Sequence, residues 1–86
     1  MKKTEYKVVN AFNCFVLYVA MGNCTVTVTE LADILQEKGN KFLEVLELRY
    51  SKETGCATYI LKEKGFAPYF DQKGFEDKID PIMENL

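Results

Sequence analysis

Apolar residues alternate with polar ones in some stretches of this chain and recur every three or four positions in others, and the change of period marks out elements. From Cys14 to Thr29 the alternation runs through Gly22-Asn23, a dipeptide suited to tight hairpin turns. Pairing about that turn sets Met21 opposite Cys24, Val19 opposite Val26 and Leu17 opposite Val28 on an apolar face. The other face pairs Ala20 with Thr25, Tyr18 with Thr27 and Val16 with Thr29, as a half-buried antiparallel sheet requires. The pattern therefore predicts a first hairpin over residues 14–28. A helix over residues 6–21 is the competing assignment.

The period then lengthens. Thr27 and Glu30 have capping-box spacing, with Thr29 as the alternative cap. Leu31, Ile34 and Leu35 share one helical stripe, and Gly39 supplies the stop. A helix of about ten residues is marginal alone and needs the sheet to hold it. Residues 42–63 return to alternation around Lys52-Glu53-Thr54-Gly55. This second hairpin sets Tyr50 opposite Ala57, Leu48 opposite Tyr59 and Leu46 opposite Leu61 on the inward face, with Glu47, Arg49, Thr58 and Lys62 on the outward one. An aromatic connector, Phe66 to Phe70, follows. Phe75, Ile79, Ile82, Met83 and Leu86 then recur at helical spacing, and Asp80-Pro81 reads as a cap and first-turn pair that breaks or restarts the helix.

The order is ββαββα, which predicts an α+β fold: a four-stranded antiparallel sheet with the helices on one face. The expected core is Leu17, Val19, Val26, Val28, Leu31, Ile34, Leu35, Leu46, Leu48, Tyr59 and Leu61. With 86 residues the chain has room for a single domain over 1–86.

Composition narrows the chemistry. The chain has no histidine, so the commonest general base and transition-metal ligand is missing. Cys14, Cys24 and Cys56 contain no C-x-x-C pair and are odd in number, which fits small buried residues in a reducing cytoplasm better than a disulfide framework. Gly39, Gly55, Gly65 and Gly74 are isolated, and no phosphate-cradling glycine motif is present. Glu44 and Glu63 fall opposite each other in the second hairpin, an arrangement that can raise a carboxyl pKa. No nucleophile or ligand set accompanies them. Tyr18, Tyr50 and Tyr59 invite comparison with a base-stacking platform, yet Tyr50 and Tyr59 fall on the apolar face and no basic rim attends them. The expectation is a non-enzymatic protein without metal or cofactor.

The uncharged stretch Val8–Thr29 follows three lysines, but Asn10 and Asn13 interrupt it. Its unbroken apolar run, Cys14–Met21, is far short of the ~20 residues that span a bilayer. The chain is expected to be cytoplasmic and free of membrane contact. Its charge is −2, its pI about 5.1, and neither favours direct nucleic-acid binding. The acids concentrate late. Asp71, Glu76, Asp77, Asp80 and Glu84 lie among apolar residues that would face the core, so they form a candidate partner-binding surface together with Phe66, Tyr69 and Phe70 of the connector.

Two stretches carry resemblances. Thr25-Val-Thr-Val-Thr-Glu-Leu-Ala-Asp-Ile-Leu35 resembles the short strand and second helix of winged-helix domains, and Tyr59-Ile-Leu-Lys-Glu-Lys-Gly65 is similar to the segment ending a wing or recognition helix there. That resemblance implies a DNA-binding transcriptional regulator. However, the chain between Gly39 and Tyr59 is too short for a recognition helix and a complete wing strand. Lys3-Thr-Glu-Tyr-Lys-Val-Val9 resembles the opening of a family of small bacterial domains of unknown function, which implies an α+β sheet and says nothing about activity. In size, acidity and lack of catalytic residues the chain is similar to phage-encoded inhibitors of host enzymes, proteins that occlude basic nucleic-acid sites with carboxylates. The leading expectation is a small protein-binding module, an inhibitor or regulator of a nucleic-acid-handling host enzyme, with a basic protein surface as its partner.

Overall fold

A computed structural model describes residues 4–11, 13–64 and 71–86. The chain runs through β1 (Tyr6–Ala11), β2 (Cys14–Ala20), a 3-10 turn (Met21–Asn23), α1 (Val28–Lys38), β3 (Leu43–Ser51), β4 (Cys56–Glu63) and α2 (Gln72–Glu84). The strands form one antiparallel sheet in the order β1-β2-β4-β3. Both helices pack on the same face, α1 against β3 and α2 against β1, and they touch each other. This is the expected α+β arrangement with ββαββα order.

The first hairpin is not the expected one. The chain reverses between Ala11 and Cys14, with Asn13 in the left-handed region at φ 85°, and β1 pairs with β2 from Tyr6↔Val19 to Ala11↔Cys14. Residues 6–20 are thus two strands, which removes the competing helix. Gly22-Asn23 lies in the 3-10 turn, and residues 24–27 lead into α1 without pairing. The reason is local competition for Thr27. Its side chain accepts from the Glu30 amide at 3.1 Å while its own amide donates to Glu30 Oε1 at 3.0 Å, closing the capping box. A residue engaged in that cap cannot also sit in a strand opposite Tyr18.

The second hairpin keeps its turn and its distal register, Tyr50↔Ala57 and Leu48↔Tyr59. Gly55 supplies the turn's positive φ of 70°. Toward the open end the register shifts by one residue between Val45 and Glu47, so Leu61 faces Val45 and Leu46 is the extra residue. Unbroken alternation from Leu48 would turn Glu44 toward the helices. The bulge turns Leu43 and Val45 inward instead, and the cost is Leu46, left 52% exposed.

Among the described residues thirteen apolar ones are buried: Val8, Phe15, Leu17, Val19, Leu31, Leu35, Leu43, Ala57, Tyr59, Leu61, Phe75, Ile79 and Met83. Of the expected core, Leu46 is exposed, Val26, Val28 and Leu48 are half-buried against its margin, and Ile34 is half-buried without joining it. Phe15 of β2 stacks on Phe75 of α2 with ring centroids 3.9 Å apart, and Phe42 meets Phe75 edge-on. The Tyr59 hydroxyl donates to the Val28 carbonyl at 2.8 Å, tying β4 to the first turn of α1. Gly39 ends α1 where a Cβ would fall 2.7 Å from the Leu35 carbonyl oxygen and against Leu43 Cγ, so the helix stop is also a close approach to β3.

Helix α2 starts at Asp71, whose carboxylate accepts from the Gly74 amide at 2.7 Å. It continues through Pro81 to Glu84. Asp80-Pro81 therefore neither caps nor restarts a helix. Pro81 has no N–H to give to the Asp77 carbonyl, so α2 runs past it with that one backbone bond missing. Of the segments resembling a winged helix, residues 28–35 are helical in α1 and residues 59–63 are strand in β4, while residues 25–27 form no strand. No helix among the described residues is long and apolar enough to cross a membrane.

Candidate interaction surfaces

The five acids of the C-terminal stretch separate into two kinds. Asp71 is spent on the α2 cap. Asp80 accepts a 2.6 Å hydrogen bond from the Tyr6 hydroxyl and so ties α2 to β1. Glu76 accepts from Gln72 Nε2 at 3.1 Å, and Asp77 lies 3.8 Å from Lys73 Nζ in an exposed pair. Glu84 is exposed. Because Glu76, Asp80 and Glu84 are spaced by four, they fall in one row along the flank of α2 beside β1, with Asp77 adjoining. Their shared field is visible at Tyr6. Burial pushes its phenol pKa well up, and the bond to Asp80 and the charges of Asp80, Glu84 and Glu76 push it further. Phe66, Tyr69 and Phe70, the aromatic part of the expected surface, lie outside the described residues.

The sheet face away from the helices is a second surface. Register places Val9, Val16, Ile60 and Glu47 in one cross-strand row, and Lys7, Tyr18, Thr58 and Arg49 in the next. Tyr18 is 41% exposed and Val9, Val16 and Ile60 are half-buried, with no described helix above them. The three tyrosines do not form one platform: Tyr18 lies on this open face, Tyr59 is buried beneath α1, and Tyr50 is exposed at the edge of β3. Burial, with Cys24 adding to it, pushes the Tyr59 phenol up.

The expected carboxylate pair is also undone. The bulge at Leu46 sets Leu43 opposite Glu63 and Glu44 opposite Lys62, so the two glutamates are not cross-strand partners. The three cysteines are half-buried and free. Among the described residues no three Cys, Asp or Glu side chains come together as a metal-binding group.

Two residues with a structural purpose gave no sequence signal. The sheet ends at β1 and β3, whose outer backbone groups invite unwanted strand pairing. Gln72 of α2 closes the first edge: its amide nitrogen donates to the Val8 carbonyl at 3.0 Å and its oxygen accepts from the Asn10 amide at 3.4 Å. Gln36 of α1 closes part of the second, accepting from the Val45 amide at 3.1 Å beside the bulge. In each case a primary amide stands in for one link of a neighbouring strand. A glutamine on a helix reads as solvated, and its strand partner lies too far along the chain to form a motif.

No known family, characterised protein or solved structure matches this chain.

Proposed function

We propose that this chain is a non-enzymatic protein-binding module of the reducing cytoplasm, which inhibits or regulates a nucleic-acid-handling enzyme by occupying its basic site. The observation that carries this reading is the row Glu76–Asp80–Glu84, with Asp77 beside it. Successive members of the row are one helical turn apart, about 6 Å along the axis. That is the same order as the spacing of charges on a nucleic-acid strand, so the row offers a basic cleft a rigid substitute for phosphates. Such a row acts first on encounter, because complementary charge raises association rates more than it raises final affinity.

The test is capture of the enzyme from the native host, then kinetics with charge-reversed protein. Asp80 must be kept, since it holds Tyr6. Glu76→Lys, Asp77→Lys and Glu84→Lys together should leave the melting temperature within about 3 °C of wild type, because exposed charges contribute little to stability. The association rate should fall at least about tenfold at low salt, with the difference closing as salt rises. An association rate equal to wild type at every ionic strength rejects the reading.

A further inference from the structure

Strand β3 lies at the sheet edge and carries two of the three large apolar side chains exposed among the described residues, Leu46 at 52% and Tyr50 at 47%. The Gln36 amide closes this edge only at Val45. Farther along, the Ser51 carbonyl accepts from Gly55 within the hairpin, so Ser51, Arg49 and Glu47 turn their backbone groups toward β4. By alternation Leu48 and Tyr50 turn theirs outward, where a further strand would sit.

The residues along that edge form a charge palindrome. Centred on Leu48, the order is Glu44, Val45, Leu46, Glu47, Leu48, Arg49, Tyr50, Ser51, Lys52. Laid antiparallel on a second copy of itself about a two-fold at Leu48, the strand sets Glu47 opposite Arg49 and brings the bulged Leu46 against Tyr50, each contact occurring twice. Glu47 and Arg49 already touch within one chain at 3.2 Å on the open sheet face. In the paired arrangement they and their counterparts alternate in sign around a square, the favourable disposition for opposed strands. From this self-complementarity we propose that β3 pairs with β3 of a second copy, joining two four-stranded sheets into one continuous sheet of eight. The proposal is independent of docking at α2, whose carboxylate row lies at the β1 end of the sheet.

A ladder of about five residues is a small interface, in the class of weak and transient contacts, so dimerisation is expected in the range of ~10–100 µM. The experiment is sedimentation equilibrium of the full chain over ~5–500 µM, with two single variants and their mixture. Glu47→Arg places Arg opposite Arg in a homodimer, and Arg49→Glu places Glu opposite Glu. Each variant alone should dimerise at least about tenfold more weakly than wild type, because like charges come directly opposite each other twice. Mixed in equal amounts they restore opposite charges across the interface, and a heterodimer of near wild-type affinity should form. Neither variant regains its internal Glu47–Arg49 pair on mixing, so recovery reports only on contacts between copies. A wild-type chain that stays monomeric throughout overturns the proposal and leaves the edge to a strand of another protein. So does a dimer indifferent to either reversal, which would place the contact away from Glu47 and Arg49. Loss of dimer in both variants without recovery in the mixture overturns it as well.

Discussion

The Tyr6 hydroxyl and the Asp80 carboxylate form the one bond described between two side chains of the first strand and the last helix. Removing the donor with Tyr6→Phe leaves a half-buried carboxylate short of a partner, and chemical denaturation should show a loss of about 1–2 kcal/mol. The same bond bears on alkaline stability. The folded pKa values of Tyr6 and Tyr59 are both raised above the ordinary 10.0, so the protonated phenols favour the folded state. That stability is complete below pH 10 and is lost as pH rises toward the folded values. Melting temperature should therefore fall above about pH 10, and less steeply in Tyr6→Phe. Glu30 acts at the other end of the scale. The Thr27 amide and then the Thr27 side chain hold its pKa below 4.5, so its contribution is present above that value and fades as acid is added. Glu30→Gln should flatten the acid limb of the stability curve. Gly39→Ala has no room for its methyl group between Leu35 and Leu43, and a loss of about 1–3 kcal/mol is expected by thermal or chemical melting.

At the scale of elements, what could be read from the sequence was whatever depended on near neighbours. The capping box, the Gly39 stop, the turn at Gly55 and the Tyr50↔Ala57 register are all set within a few residues, and each stands as expected. What escaped was decided across the fold. Gly22-Asn23 offered a turn, but the chain reverses at Asn13 instead, which leaves Thr27 free for α1. The bulge turns Leu43 and Val45 inward where unbroken alternation from Leu48 would turn in Glu44, and the expected register assumed that alternation. The same holds for the candidate site: the acids were legible as a group, but the partners of Asp71 and Asp80 were not. The bulge makes a paired prediction. Leu43→Ala should cost about 2–4 kcal/mol, whereas Leu46→Ala, measured below dimerising concentrations, should cost less than about 0.5 kcal/mol. Equal losses would restore the unbroken register.

For the whole molecule, the division of labour is between a helical layer that buries the core and a sheet whose far side no described helix covers. Lys38, Lys41, Arg49, Lys52, Lys62 and Lys64 are distributed over α1, the segment after it and the β3–β4 hairpin, whereas duplex binding wants them on one groove-sized face. With a net charge of −2, binding to duplex DNA tighter than ~10 µM at physiological salt is not expected. A gel shift showing sub-micromolar, sequence-selective binding would instead favour the transcriptional-regulator resemblance.

The glutamine that closes β1 also sets a hazard in time. Gln72 follows its partners Asn10 and Val8 by 62 and 64 residues, so on the ribosome the first strand is made long before its guard. At ordinary rates of synthesis the interval is about 3–13 s. Throughout it the growing chain offers Val8 and Asn10 to any passing strand, including the same stretch on a neighbouring nascent chain of the polysome. Slow decoding between β1 and α2 should therefore lower the yield of correctly folded protein without altering the stability of the molecules that finish.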